Sequence, residues 1–207
     1  FKEMRAANKK NTHRFKYYYL TLQESWYHKQ ESVSKNRFFQ KLQGNFKNIP
    51  VYPWGTVLQF GKCSNAGRYK QTGWSPPGIY GSWTNGKAAR LLIPLPRTKA
   101  DSIILQVNLK AFLGRGKLEL QRVNVVVNGH ETCNWQIREP GYNRQTAIIP
   151  RRFIKKNRAE IEFLLPDAVS PAEVGFNNDE RILGIHVKSV ELTPNISANH
   201  ENQTVRE

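Results

Sequence analysis

Apolar and polar residues alternate with a period of two from about residue 56 onward, and this spacing predicts strands. Runs at 56–60, 88–93, 102–109, 117–127, 132–137, 146–149, 159–164 and 183–192 are rich in Val, Ile, Leu and aromatic residues, the composition of half-buried strands. Turn signals such as Asn85-Gly86, Asn128-Gly129 and Pro140-Gly141 separate them. Asn128-Gly129 is the sharpest. Val123, Val125 and Val127 alternate with Arg122, Asn124 and Val126 before it, and Cys133 and Trp135 follow on the return. Asn-Gly supplies the two positive φ angles that a type I′ hairpin turn needs. Eight short strands with no helix between them predict an all-β fold, a jelly-roll-like antiparallel sandwich. Residues 151–157 read as one helical turn. In the last strand His186 reads as a surface histidine, with Ile185, Val187 and Ser189 on the opposite face.

The first 48 residues have a different texture. Gly44 is their first glycine and no proline precedes Pro50. Leu20, Gln23, Glu24 and Tyr27 fall at helical spacing, and Ser34 can cap a turn leading to Phe38 and Phe39. Two short helices or one broken helix are expected. The segment is too polar to bury a core of its own. Phe15, Tyr17, Tyr18, Tyr19, Trp26, Tyr27, Phe38 and Phe39 are its candidate docking residues, since Tyr, Trp and Phe anchor interfaces. The expected organisation is a basic arm over 1–48, a sandwich over 49–193 and a polar tail over 194–207. The tail carries Asn195-Ile-Ser, and Asn202-Gln-Thr follows it, both fitting a glycosylation acceptor pattern.

Charge narrows the partners without choosing one. The chain has 32 Lys+Arg against 16 Asp+Glu, net +16. Residues 1–48 hold 11 and 3 of these, so the arm is about three times more basic per residue than the rest. Nucleic acid, anionic lipid and acidic glycans all suit such a balance. The sharpest local patch in the sandwich is Arg151, Arg152, Lys155, Lys156 and Arg158, and no zinc-finger or RNP1-like pattern accompanies it. No apolar run is long enough to cross a membrane as a helix. The chain starts at Phe1, so a removed leader or a preceding anchor is compatible with it. Cys63 and Cys133 lack metal-ligand spacing and read either as a disulfide or as two thiols. No cofactor and no metal is expected.

Candidate chemistry concentrates in residues 67–83, where Tyr69, Trp74, Tyr80 and Trp83 alternate with Gly, Pro and Ser. Flat rings edged by polar groups suit the C–H face of a sugar. The bland alternative is that Trp74 and Trp83 plug one end of the sandwich. With Arg68, the cluster Asn177, Asp179 and Arg181 can clamp a ligand; equally, Asp179 and Arg181 can lock a loop to the sheet. A calcium site on Asn177, Asp179 and Glu180 lacks the usual ligand spacing. Catalysis finds no support: G-x-S-x-G and H-E-x-x-H are absent, and no Asp or Glu lies between Phe46 and Ala100.

Several elements together resemble a known family. They are Gly73-Trp74-Ser75, Gly81-Ser82-Trp83-Thr84, Val127-Asn128-Gly129, Leu165-Pro166-Asp167-Ala168 and Asp179…Arg181…Leu183-Gly184. Over residues 55–192 the chain resembles β-sandwich domains of bacterial envelope proteins, often attached to polysaccharide-synthesis proteins and membrane glycosyltransferases. The resemblance implies a carbohydrate-binding-module-like sandwich on the outer side of the bacterial inner membrane. In that pattern a Glu follows the Pro after Gly-Trp-Ser; here Pro76-Pro77-Gly78 stand there, which implies a lost sugar contact. The expected function is therefore a non-catalytic structural subunit of an envelope assembly, such as a secretion or motility machine, with other envelope proteins as partners. Binding of peptidoglycan or an acidic cell-surface polysaccharide is the alternative. Nucleic-acid binding ranks third, and contact with a membrane surface is compatible with the charge.

Overall fold

The computed structural model describes residues 49–196. Within them the chain forms β1 (Leu58–Gln59), β2 (Ser82–Trp83), β3 (Ala88–Pro94), β4 (Ser102–Ala111), β5 (Gln121–Val127), β6 (His130–Ile137), β7 (Asn143–Pro150), β8 (Arg158–Leu164) and β9 (Ile185–Asn195). These make two antiparallel sheets. The A sheet runs β1-β9-β4-β7, with β2 pairing beside β1 on β9, and the B sheet runs β3-β8-β5-β6. The expected all-β sandwich is what the chain folds into. The arm residues named above, Phe15, Tyr17, Tyr18, Tyr19, Trp26, Tyr27, Phe38 and Phe39, lie outside the described residues.

Alternation puts one face of each strand into a shared core. On β4, Ile103, Leu105, Val107 and Leu109 point inward; on β8, Ala159, Ile161 and Phe163 do. Each of the larger side chains contributes roughly 1.5–3 kcal/mol by leaving water. Tyr52 fixes the entry of the chain into this core. Its buried hydroxyl accepts from Leu192 N–H at 2.9 Å and donates to the Thr56 carbonyl at 2.5 Å. Burial pushes that phenol up to about 12.

Three departures from the sequence pattern have local causes. β5 begins at Gln121 rather than at 117, because a 3-10 turn at Gly114–Gly116, with Arg115 at φ 54°, occupies the chain before it. A bulge in β9 pairs Leu109 with Val187 and Asn108 with Ser189, leaving Lys188 without an opposite residue. The bulge reverses the later alternation, so Ser189 joins the outer face that His186 occupies. β2 is too short to show a period at all. The helical turn expected after residue 150 is the 3-10 turn Arg151–Phe153.

The two cysteines are free thiols. Cys63 follows β1 at one edge of the A sheet; Cys133 is on β6, the far edge of the B sheet, which packs against β7. Several strand spacings separate them, so the disulfide alternative is set aside.

The Asn128-Gly129 turn has φ 50° and 84°, as a type I′ turn requires. The Asn128 side chain also donates to the Phe153 and Arg158 carbonyls at 2.7 and 2.9 Å, and accepts from Glu160 N–H at 3.0 Å. Asn128→Ala should lower unfolding free energy by about 2–3 kcal/mol. Asn128→Gly, which keeps the φ and loses only the side-chain bonds, should lose less. Urea denaturation of both variants checks this; equal losses would put the whole effect on the side-chain bonds.

Candidate functional site

The residues predicted to form a ligand loop lie on the connection from β1 to β2. Its middle part, residues 69–75, closes the open side of the sandwich. It first runs along β3: Leu92 N–H donates to the Tyr69 carbonyl, Gln71 N–H to Arg90 and Arg90 N–H to Thr72, at 2.9–3.0 Å. It then crosses to the A sheet, where Asn85 N–H donates to the Gly73 carbonyl at 2.8 Å and Ser75 N–H to Trp83 at 2.9 Å. Gly73 marks the crossing. Its φ is 83°, and a Cβ there would run into the Ala88 carbonyl, so only glycine makes this turn without strain.

Beside this segment is a cleft of about 470 Å³. Gly61, Cys63, Gly67, Lys70, Gln71 and Trp74 are among its lining residues. Trp74 forms a wall and a plug at once. Its indole Nε1 donates to the Arg90 carbonyl at 2.9 Å, and its ring packs against Phe60 and Phe163 at 5.0 and 6.4 Å between centroids. Lys70 was not foreseen from the sequence. Its Nζ donates to Ser82 Oγ at 2.5 Å and lies 5.0 Å from the Phe60 ring centre and 5.7 Å from that of Trp74. Burial lowers its pKa. Among the described residues no carboxylate pairs with it. A partly desolvated ammonium without a counter-ion attracts hydroxyl and anionic oxygens. No single-sequence signal separates such a lysine from a surface one, because its burial depends on two sheets meeting.

The other predicted residues divide. Tyr69 is 4% exposed and packs edge-on to Tyr52, so it is a core residue and not part of a platform. Arg68 is exposed at the end of the 3-10 turn Asn65–Arg68. Tyr80 is 71% exposed, in a turn where Gly78 N–H donates to the Gly81 carbonyl. Asn177 accepts from Asp179 N–H at 2.8 Å. Asp179 and Arg181 form the lock rather than a free clamp: Arg181 Nη2 meets Asp179 Oδ2 at 2.6 Å, Nε reaches both carboxylate oxygens, and Nη1 donates to Ser75 Oγ at 3.3 Å. The Arg181 guanidinium holds the Asp179 carboxyl below its usual range. Asp179 is thus engaged with arginine, and no group of three His, Cys, Asp or Glu side chains suited to a metal occurs among the described residues.

Trp83 lies apart from the cleft. β2 turns Ser82 inward toward Lys70 and Trp83 outward, opposite His186. His186 is 8% exposed, not the surface residue expected. Trp83 packs edge-on against it at 5.0 Å, and Tyr142 Oη hydrogen-bonds its Nδ1 at 2.8 Å. Burial, aided by the Lys110 charge, pushes the imidazole down to about 4.

No protein-family model matches the chain, and no curated protein matches it. Among solved structures it is similar to the CBM36-1 domain of a multidomain xylanase from the hindgut metagenome of Trinervitermes trinervoides. The identity is 9%, over 66% of this chain and 94% of that one, with a TM-score of 0.40. A family 35 carbohydrate-binding module from an environmental isolate has 18% identity over 68% and 93%, with a TM-score of 0.38. A CBM36 module described in complex with calcium and xylotriose has 10% identity over 70% and 94%, with a TM-score of 0.35. At such scores the likeness says nothing about what this cleft holds.

His186 sets a pH signature. Its folded pKa of about 4 lies below the ordinary histidine value of 6.5, so the unfolded chain takes up the proton first as pH falls. Stability should therefore be full above about pH 6.5 and decline toward pH 4, by up to about 3 kcal/mol. Asp167 and Asp179, held low by Arg122 and Arg181, lose their contributions only as pH falls through and below 3.8. Urea unfolding between pH 7 and pH 4 measures the decline, and His186→Gln should flatten it. An unchanged slope in that variant would assign the decline to other groups.

Proposed function

We propose that the sandwich is a non-catalytic glycan-binding domain and that the cleft beside residues 69–75 is its site. One observation carries this reading. Trp74, Lys70, Gln71 and Ser75 line one cleft of about 470 Å³, and its lining contains no carboxylate and no imidazole. The volume falls within the range of small-ligand sites. The aromatic wall suits a sugar C–H face, and the ammonium and amide suit its hydroxyls. Hydrolysis of a glycoside needs an acid and a base or nucleophile flanking the bond, and this lining offers neither.

The reading as an assembly subunit loses its first place. Its docking residues lie in 1–48, outside the described residues, whereas the cleft lies within them. A bacterial-envelope location is proposed on the sequence resemblance alone; an alkaline phosphatase fusion that is inactive in the intact host would overturn it.

A blocking variant tests the cleft. Gly67 lines it, lacks a positive φ, and a Cβ there meets nothing within 4 Å, so Gly67→Trp should fill the cleft and leave the melting temperature unchanged. Titration against peptidoglycan fragments and neutral and acidic oligosaccharides should show saturable binding to at least one, weakened tenfold or more in the variant. Absence of saturable binding across the panel, or binding indifferent to Gly67→Trp, would refute the reading.

A further inference from the structure

A second concentration of rings and cations sits on the outer face of the A sheet, away from the cleft. Trp83 and Tyr142 flank His186 there, and Phe112 lies 6.2 Å from Trp83. Lys110 Nζ is 5.7 Å from the Trp83 ring centre and 5.2 Å from that of Tyr142. Lys188 Nζ is 5.7 Å from Tyr142. Lys188 is two residues from His186 on β9 and is exposed on the same outer face, so a second ammonium stands beside the same ring. No carboxylate among the described residues pairs with Lys110 or Lys188. Two ammonium groups about one tyrosine repel each other, and the ring offsets only part of that repulsion.

Anionic groups beside them would relieve it. We propose that this face is a second binding site, for an acidic polysaccharide: Lys110 and Lys188 hold its carboxylate or sulfate groups beside Tyr142. The hydrogen bond from Tyr142 to the almost buried His186 fixes the ring that both lysines approach. A single-stranded nucleic acid fits less well. Its bases need free ring faces to stack on, and here the ammonium groups stand over the rings. The site shares no lining residue with the cleft, so the two can fail separately.

The test compares the full chain with Lys110→Met/Lys188→Met, which keeps the side-chain stems, and with Lys99→Met/Lys117→Met, which removes the same charge at two exposed positions. Affinity electrophoresis is run in polygalacturonate, dextran sulfate and neutral dextran, with a thymidine homopolymer as competitor. The expected result is retardation by the acidic polymers and not by dextran. It should weaken at least tenfold in the first variant, and persist in the second and in Gly67→Trp. Circular dichroism establishes that each variant is folded. Equal weakening in both lysine pairs would show non-specific charge attraction and overturn the proposal. So would no weakening in the first, or displacement of the glycan by the thymidine homopolymer at lower concentration.

Discussion

The crossing of residues 69–75 between the two sheets is the constraint on which the rest of the site depends. A two-sheet sandwich has open sides, where backbone groups and core side chains meet water. Here the segment pairs first with β3 and then with β2, so one piece of chain seals one side. The turn that allows this has room only for Gly73. Trp74 then fills the gap against Phe60 and Phe163, and the Lys70–Ser82 hydrogen bond ties the segment to the other sheet. Ser82 Oγ passes the link on by donating to the Phe60 carbonyl at 2.9 Å.

This closure links two of the sequence elements that carry the resemblance. Gly73-Trp74-Ser75 is the crossing, and Asp179 with Arg181 is the clasp that reaches Ser75 from the connection between β8 and β9. Both elements are structural first. The cleft arises because a segment forced into this path leaves space beside it, walled by the parts of Trp74 and Lys70 that the core does not use. The proposed site and the fold therefore share residues. Deleting Trp74 outright would leave a large cavity, and for that reason filling the cleft from Gly67 is the cleaner perturbation.

The β9 bulge shapes the outer face. One extra residue breaks the alternation and turns Ser189 outward, onto the face where Lys188 approaches Tyr142. Three groups from β4, β9 and the β6–β7 connection, Lys110, His186 and Tyr142, meet only because the strands pair in that register. The +16 net charge thus has a local expression: two ammonium groups on one face and a third in the cleft, none with a carboxylate partner among the described residues.

The sequence by itself determined the sandwich, because a two-residue period and Asn-Gly turn chemistry are local properties that burial of one face enforces. All eight expected strands formed, and the Asn128-Gly129 turn took its two positive φ values. It also marked residues 67–83 as an irregular segment, since rings interleaved with Gly and Pro signal one. Tertiary structure alone decided which of the candidate residues line the cleft. Tyr69 went to the core, Asp179 and Arg181 became a lock, and Lys70 moved from an unremarked position to the cleft. β2 was too short, and the bulge at Lys188 too local, to leave a periodic trace. Whether a ring or a charge is buried depends on what a distant strand brings against it, and no spacing along one chain segment encodes that.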